Sequence, residues 1–332
     1  MAGFRHTFMV FCCVALVLVA MGARALGWDF VEKNGISYVT MSSLRSFYGF
    51  SLEKKEGSSR VYEMKKYRLK VRPASQDMYM NGVKFVLSYP IAEDPVKGLL
   101  ISRIDVTKIV DPVLRPKYIR NGRMLDTVII DPGHGGHDSG ARNRVSLEKD
   151  LNLQVARLLR SKLLKAGYKV VMTRETDRYL TLQERVQIAN RYRNAVFVSI
   201  HFNDGSSSAN GIETFTLAPA GTSSSMSRNV RRDALAGNSQ DSSNIALATA
   251  VQGNLIRGKK SVTKGMRPFD RGIKRARYSV LCTIQHPAIL VECGFLSNAR
   301  EATLARTESY RDFLAESICS GILQYKTALG CR

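Results

Sequence analysis

The chain has 332 residues, enough for two domains, and its 44% hydrophobic and 23% charged content is that of a globular protein rather than a disordered one. Nine prolines and 25 glycines exclude a collagen-like or proline-rich polymer, and six cysteines are too few for a disulfide-built scaffold. The distinctive figure is the net charge of +22.

Arg5 and His6 precede an apolar run, Thr7 to Met21, that ends in Ala23-Arg24-Ala25. This order is that of a secretory signal peptide over residues 1–25, and the run is shorter than the ~20 residues a bilayer-spanning helix needs. Cleavage after Ala25 predicts an exported protein, periplasmic or wall-associated, without stable membrane insertion and with a charge of +20. So basic an exported protein concentrates on anionic polymers, and export puts a charged cell wall first among them. Nucleic acid is not an expected partner, because no aromatic platform or known motif accompanies the basic residues.

Residues 26–116 read as a small α+β domain, a wall-binding or spacer module. A short helix is expected over Ser42–Tyr48, stopped by Gly49. Tyr67 to Arg72 alternates apolar with basic residues, a strand with one buried and one cationic face. Asn81-Gly82 between Asp77–Met80 and Val83–Ser88 signals a hairpin. Ser102 is expected to cap a helix that runs to Val110 and closes at Asp111-Pro112. The stretch resembles the small stalk domains related to the N-terminal domain of copper amine oxidases.

Residues 117–125 are polar and basic and read as a linker to a second domain over 126–328. There, strands are expected at Thr127–Ile130, Tyr168–Met172, Ala195–Ile200, Ile212–Leu217 and Ala288–Val291. Helices are expected at Asp150–Leu164, after the capping box Thr181/Glu184, at Asn244–Ile256 and at Tyr310–Tyr325. Alternating strands and helices imply an α/β sandwich with a mixed, largely parallel central sheet. Serine-rich stretches between Asn203 and Thr263 predict loops.

In open α/β sheets the working residues lie at the carboxyl ends of strands. Thr127–Ile130 runs into Asp131-Pro132-Gly133-His134-Gly135-Gly136, Ala195–Ile200 into His201, and Ala288–Val291 into Glu292; Glu148 opens the first helix of the domain. Two histidines and one carboxylate suffice to hold a zinc ion with a position left open, and a second carboxylate then serves as general base. The glycines around His134 suggest close backbone approach to a ligand.

Residues 128–141, VIIDPGHGGHDSGA, then 147–153, LEKDLNL, 198–203, VSIHFN, and 291–298, VECGFLSN, resemble the zinc-dependent N-acetylmuramoyl-L-alanine amidases of the amidase-3 family. The similarity spans about residues 126–325 in four ordered motifs. It implies a zinc-exopeptidase-like three-layer sandwich, one Zn²⁺ per chain on His134, Glu148 and His201, and Glu292 as the catalytic carboxylate. It also implies peptidoglycan as the partner, with an activator protein as a further one, and hydrolysis of the amide between N-acetylmuramic acid and L-alanine. The competing readings are a zinc peptidase acting within the stem peptide and a catalytically dead wall-binding module.

His137 is expected to lie outside the ligand set. The family often carries arginine near Cys282, where this chain has Val280-Leu281-Cys282, so a compensating cation is sought among Lys274, Arg275 and Arg277. Asn203, Asn244, Arg275 and Arg277 are the candidate substrate-binding residues. Cys282, Cys293, Cys319 and Cys331 remain after cleavage and admit three full pairings in an oxidising compartment. The helix within 238–257 is expected to cover the sheet rather than lie over the zinc.

Overall fold

The computed structural model describes residues 27–120, 124–225, 227–257 and 268–330, so the leader and Cys331 lie outside the described residues. The chain opens with a hairpin, β1 (Phe30–Lys33) and β2 (Ile36–Thr40). Helix α1 (Met41–Tyr48) begins just before Ser42, because the Thr40 hydroxyl accepts the Ser43 N–H, and it stops at Gly49 in the left-handed region. An antiparallel meander follows: β3 (Leu52–Glu56), β4 (Ser59–Met64), β5 (Tyr67–Val71), β6 (Asp77–Met80) and β7 (Val83–Val86). On β5, Leu69 and Val71 are buried while Arg68 and Lys70 face the other way. Asn81 and Gly82 both have positive φ, the backbone of the tight turn expected between β6 and β7.

Strands β8 (Ala92–Asp94) and β9 (Gly98–Ser102) complete a small sheet with β1 and β2. Ser102 caps the next helical segment, yet Asp111-Pro112 does not close it. A π turn over Val106–Val110 shifts the hydrogen-bond register, and Pro112 then sits at the start of a further turn, Asp111–Leu114, where its missing N–H costs nothing. Ile119 and Leu125 are buried in the main core, so the 117–125 stretch is anchored on both sides of its basic centre.

The second half supplies β10 (Thr127–Pro132), α2 (Glu148–Lys165), β11 (Lys169–Met172), α3 (Leu182–Asn190), β12 (Ala195–Asn203) and β13 (Ile212–Leu217). After them come the hairpin β14 (Thr222–Ser224) and β15 (Ser227–Arg231), α4 (Asp241–Ile256), β16 (Asp270–Ala276) and α5 (Ser279–Cys282). The chain closes with β17 (Ala288–Phe295), α6 (Ala299–Ala305) and α7 (Glu308–Leu329). Strands β11, β10, β12 and β17 are parallel, β13 runs antiparallel to β17, and β16 lies parallel to β13. Side chains alternate between two cores. Val128, Ile130, Val198 and Val291 pack under α2, α4 and α7, whereas Ile129, Phe197 and Leu290 pack under α3 and α5. This is the expected three-layer sandwich with a mixed, largely parallel sheet. Helix α4 is buried between sheet and α7, as expected of a cover. Among the described residues no helix is long and apolar enough to cross a membrane.

The sheet does not end at β16. That strand, which has no clear sequence signature, pairs with β7 through Ile273 and Phe85, and one eleven-stranded sheet runs through both halves. Lys84 N–H donates to the Asp270 carboxylate at 2.8 Å, and buried Arg275 is ion-paired with buried Asp105 while donating to the Ser88 hydroxyl at 2.8 Å. Removing one partner of such a pair strands a buried charge. Arg275→Met is therefore expected to cost ~3–5 kcal/mol in urea unfolding, and Arg275→Met with Asp105→Leu much less. A loss below ~1 kcal/mol in the single variant would show that the pair is not what holds the joint.

Candidate active site

Each strand carrying a site residue runs further than expected, so His201 and Glu292 are still in the ladder, directly paired across β12 and β17. Both point to the α3/α5 face, since their neighbours Ile200, Phe202, Val291 and Cys293 point into the opposite core. His134 follows β10 on a turn that demands unusual backbone. It has φ of 61°, and Gly135, Gly136 and Gly140 are also at positive φ. A Cβ on Gly133 would enter the His201 ring, and one on Gly140 would meet the Glu148 carboxylate and the His134 ring. The glycines are there because two ligand-bearing segments touch through backbone.

Two buried arginines hold that turn. Arg174 donates to the carbonyls of Pro132 and Gly133, and Arg185 to those of Pro132 and His134, all at 2.8–3.0 Å. Arg185 also pairs at 2.7 Å with Asp131, which accepts from the Thr173 and Ser199 hydroxyls at 2.6 and 2.8 Å. Sequence reasoning missed these arginines; nothing local distinguishes them from surface cations on a helix or loop.

Glu148, first residue of α2, is nearly fully buried at the centre of the site. One carboxylate oxygen lies 3.2 Å from His134 Nε2 and accepts the Ala141 N–H at 2.7 Å. The other lies 2.9 Å from His201 Nδ1 and accepts the Phe202 N–H at 3.1 Å. Burial opposes its ionisation, but the bonds to the two histidines outweigh that and hold the carboxyl well below the usual range. His134 Nδ1 is in turn 2.8 Å from Asp138, which orients the ring. Burial works against charge on His134, yet Glu148 and Asp138 together raise its imidazole above its ordinary value. The spacing of Asp138, four residues after His134, was the available signal for this contact.

His134, Glu148 and His201 each offer one ligand atom, and these atoms lie within 4.8 Å of one another. Two imidazoles and a carboxylate suit a divalent ion. Glu292, on the wall of the same cleft, adds a second indication: its Oε2 is buried without a hydrogen-bond partner. Burial, then the charges of Glu148 and Glu213, push the Glu292 carboxyl well above the ordinary carboxylate range against the pull of Lys274. Glu213 sits opposite Glu292 across β13 and β17, buried, and paired with Arg271 at 2.8 Å and Lys274 at 2.5 Å. It also accepts from Asn203 at 2.8 Å.

The remaining candidates divide. Asn203 and Arg277 line the cleft of about 770 Å³ that holds the metal group. Asn244 does not: its side chain accepts the Ala288 N–H at 2.7 Å, at the start of β17 and four residues before Glu292. Arg275 is spent on Asp105, as above. Neither lines the cleft. His137 is exposed and packs on Tyr179 with ring centroids 4.1 Å apart, away from the ligand group. Cys282, Cys293 and Cys319 are free thiols, so no disulfide joins the described cysteines to one another, and Cys293 and Cys319 both pack in the core under α2, α4 and α7.

Fold and cleft together define a hydrolase domain of the α/β class with a His-Glu-His group able to hold a metal ion. The model of the N-acetylmuramoyl-L-alanine amidase family matches residues 128–324, more than half of the chain, and the chain belongs to that family. LytC of Bacillus subtilis (strain 168), named as such an amidase, is 34% identical over 208 residues, covering 62% of this chain and 37% of LytC. The amidase AmiC of Neisseria meningitidis serogroup B is 32% identical over 275 residues, 75% of this chain and 64% of AmiC. The chain thus spans less than two thirds of either relative. The crystal structure of the amidase from Clostridium difficile 630 superposes with a TM-score of 0.50 at 38% identity, covering 61% of this chain and 97% of that one.

Asp131 is the buried anion against which the turn is tied. Burial would raise its carboxyl, but Arg185 and the two hydroxyls lower it overall. A lowered carboxylate stabilises the fold fully above the ordinary value of ~3.9 and loses that contribution as pH falls through the lower folded value. Asp131→Asn should cost ~3–5 kcal/mol in urea unfolding at pH 7, because Arg185 is left unpaired. The gap to the parent chain should narrow below about pH 4; a gap independent of pH would contradict the ion-pair origin.

Proposed function

We propose that the chain hydrolyses the amide joining the lactyl group of N-acetylmuramic acid to L-alanine in peptidoglycan, with one Zn²⁺ held by His134, Glu148 and His201. The observation that carries this reading is the convergence of those three side chains beside a buried carboxylate with an unpartnered oxygen, within the stretch that matches the family. When bound, Zn²⁺ supplies Lewis acidity to a carbonyl oxygen and a water. Asp138 holds the His134 ring, and the backbone N–H groups of Ala141 and Phe202 hold the Glu148 carboxylate, so the donors are set before substrate arrives. Glu292 takes the proton of the attacking water and passes one to the leaving nitrogen of L-alanine. Its raised carboxyl suits both steps, since a carboxylate made more basic than usual accepts a proton more readily and can then return it. Arg271 and Lys274 neutralise Glu213, which limits repulsion between the two facing carboxylates.

The chain as a whole is proposed to act at the cell wall after export. The leader pattern and the basic excess support this. Residues 26–116 are proposed as a wall-facing extension of the catalytic sheet rather than a second catalytic unit; the main cleft draws none of its walls from them.

Mass spectrometry of digested sacculi tests the reaction. Intact stem peptides released from glycan support it; shortened stems still attached to muramic acid would establish a peptidase instead. Glu292→Gln should lower turnover ~10²–10⁴-fold at unchanged zinc content. His201→Ala should lose the zinc itself, and chelation followed by Zn²⁺ should abolish and then restore hydrolysis in the parent chain.

A further inference from the structure

Two cavities on the α3/α5 side of the sheet share a wall. The metal-centred cleft ends on one side at Arg277 and Tyr278, and these residues also line a second cavity of about 400 Å³ under the hairpin β14–β15. Arg231 and Asn229 of β15 complete that second cavity. The hairpin is fastened in place. Ser225 N–H donates to the Arg275 carbonyl at 2.7 Å, and Gly221 N–H to that of Arg231 at 2.7 Å. Arg277 Nη2 donates to the carbonyls of Thr222 at 2.6 Å and Pro219 at 3.3 Å. The groove is therefore a fixed continuation of the active cleft.

Its charge is unanswered. Elsewhere in this half, Arg185 faces Asp131, Arg271 and Lys274 face Glu213, and Arg275 faces Asp105. Among the described residues no carboxylate lies within ion-pair distance of Arg277 or Arg231. Burial disfavours Arg277 as a cation, Cys282 acts the other way, and the like charge of Arg231 adds to the effect of burial. Two guanidiniums that repel each other across a groove form a site whose repulsion an anion relieves, and a guanidinium fork fits a planar carboxylate through paired hydrogen bonds.

We propose that Arg231 and Arg277 bind a carboxylate of the stem peptide on the leaving side of the scissile amide, making the hairpin groove a specificity subsite for acidic stems. This rests on the amidase reading. The continuity of groove and cleft favours an anion carried by the substrate over a free polyanion, because the occupant of one cavity leads directly into the other.

The test uses the full zinc-loaded chain and two synthetic muramoyl-peptides, identical except that the carboxylate following L-alanine is free in one and a carboxamide in the other. The parent chain should prefer the acid ~10-fold in kcat/KM, mainly through KM, and Arg231→Ala and Arg277→Ala should bring that ratio to about 1. Arg277→Lys should recover only part of it, since an ammonium lacks the fork. Arg231 is exposed, so its variant keeps the test sound should Arg277→Ala fail to fold. A parent ratio near 1, or a ratio unchanged in both variants, overturns the proposal. So does inhibition by polyglycerol phosphate that vanishes in Arg231→Ala without any acid preference, which would assign the groove to phosphate. If neither substrate is cleaved, the amidase reading fails. The groove is then judged by fluorescence polarisation of the free stem peptides: the same acid preference, lost in Arg231→Ala, supports it, and equal binding overturns it.

Discussion

Everything around the site depends on one buried carboxylate shared by two imidazoles. Glu148 can reach both His134 and His201 only because the backbone of 131–141 passes against their rings, where Gly133 and Gly140 leave no room for a Cβ. A turn that tight, with His134 itself at positive φ, is costly and persists only when its surroundings over-determine it. Arg174 and Arg185 do this by saturating the carbonyls of three successive residues, and the ion pair with Asp131 holds Arg185 in place. The geometry of the His-Glu-His group is therefore a property of a polar network one layer below it.

The opposite wall of the cleft is built by strand pairing. Because β13 runs antiparallel to β17, Glu213 falls directly across from Glu292, and because β16 lies beside β13, Arg271 and Lys274 reach Glu213. The next residue, Arg275, points the other way to Asp105. A single strand thus balances the charge of Glu213 behind Glu292, pairs with the N-terminal meander along its edge, and holds Asp105 through Arg275. This alternation couples the two halves of the chain more closely than their separate sequence character suggests.

Much of this was legible beforehand. The α3 start follows from its capping box, the β6–β7 turn from Asn81-Gly82, and the two-faced central strands from their apolar runs; each depends on residues a few positions apart. His134, Glu148, His201 and Glu292 were legible because they end apolar strands or open a helix within four ordered motifs. Asn244 and Arg275 lie away from the cleft, on the Ala288 N–H and on Asp105, because sequence position does not say which end or side of a strand a polar side chain meets. The 117–125 stretch is not uniform in its packing. A polar, basic composition describes the middle of the stretch, while Ile119 and Leu125 on either side of it are buried.

What the sequence by itself determined is the central strands and flanking helices of the second half, the order of the layers, and the candidate group of His134, Glu148, His201 and Glu292. Period, caps and turn residues act over a few positions, and those signals survive without knowledge of the rest of the chain. Only the tertiary structure decided that β16 exists as a strand, that it carries the catalytic sheet into the meander, and that Arg231 and Arg277 come together beside the cleft. These are pairings between segments tens to hundreds of residues apart. Their partners are selected by packing and charge in three dimensions, and no local pattern encodes them.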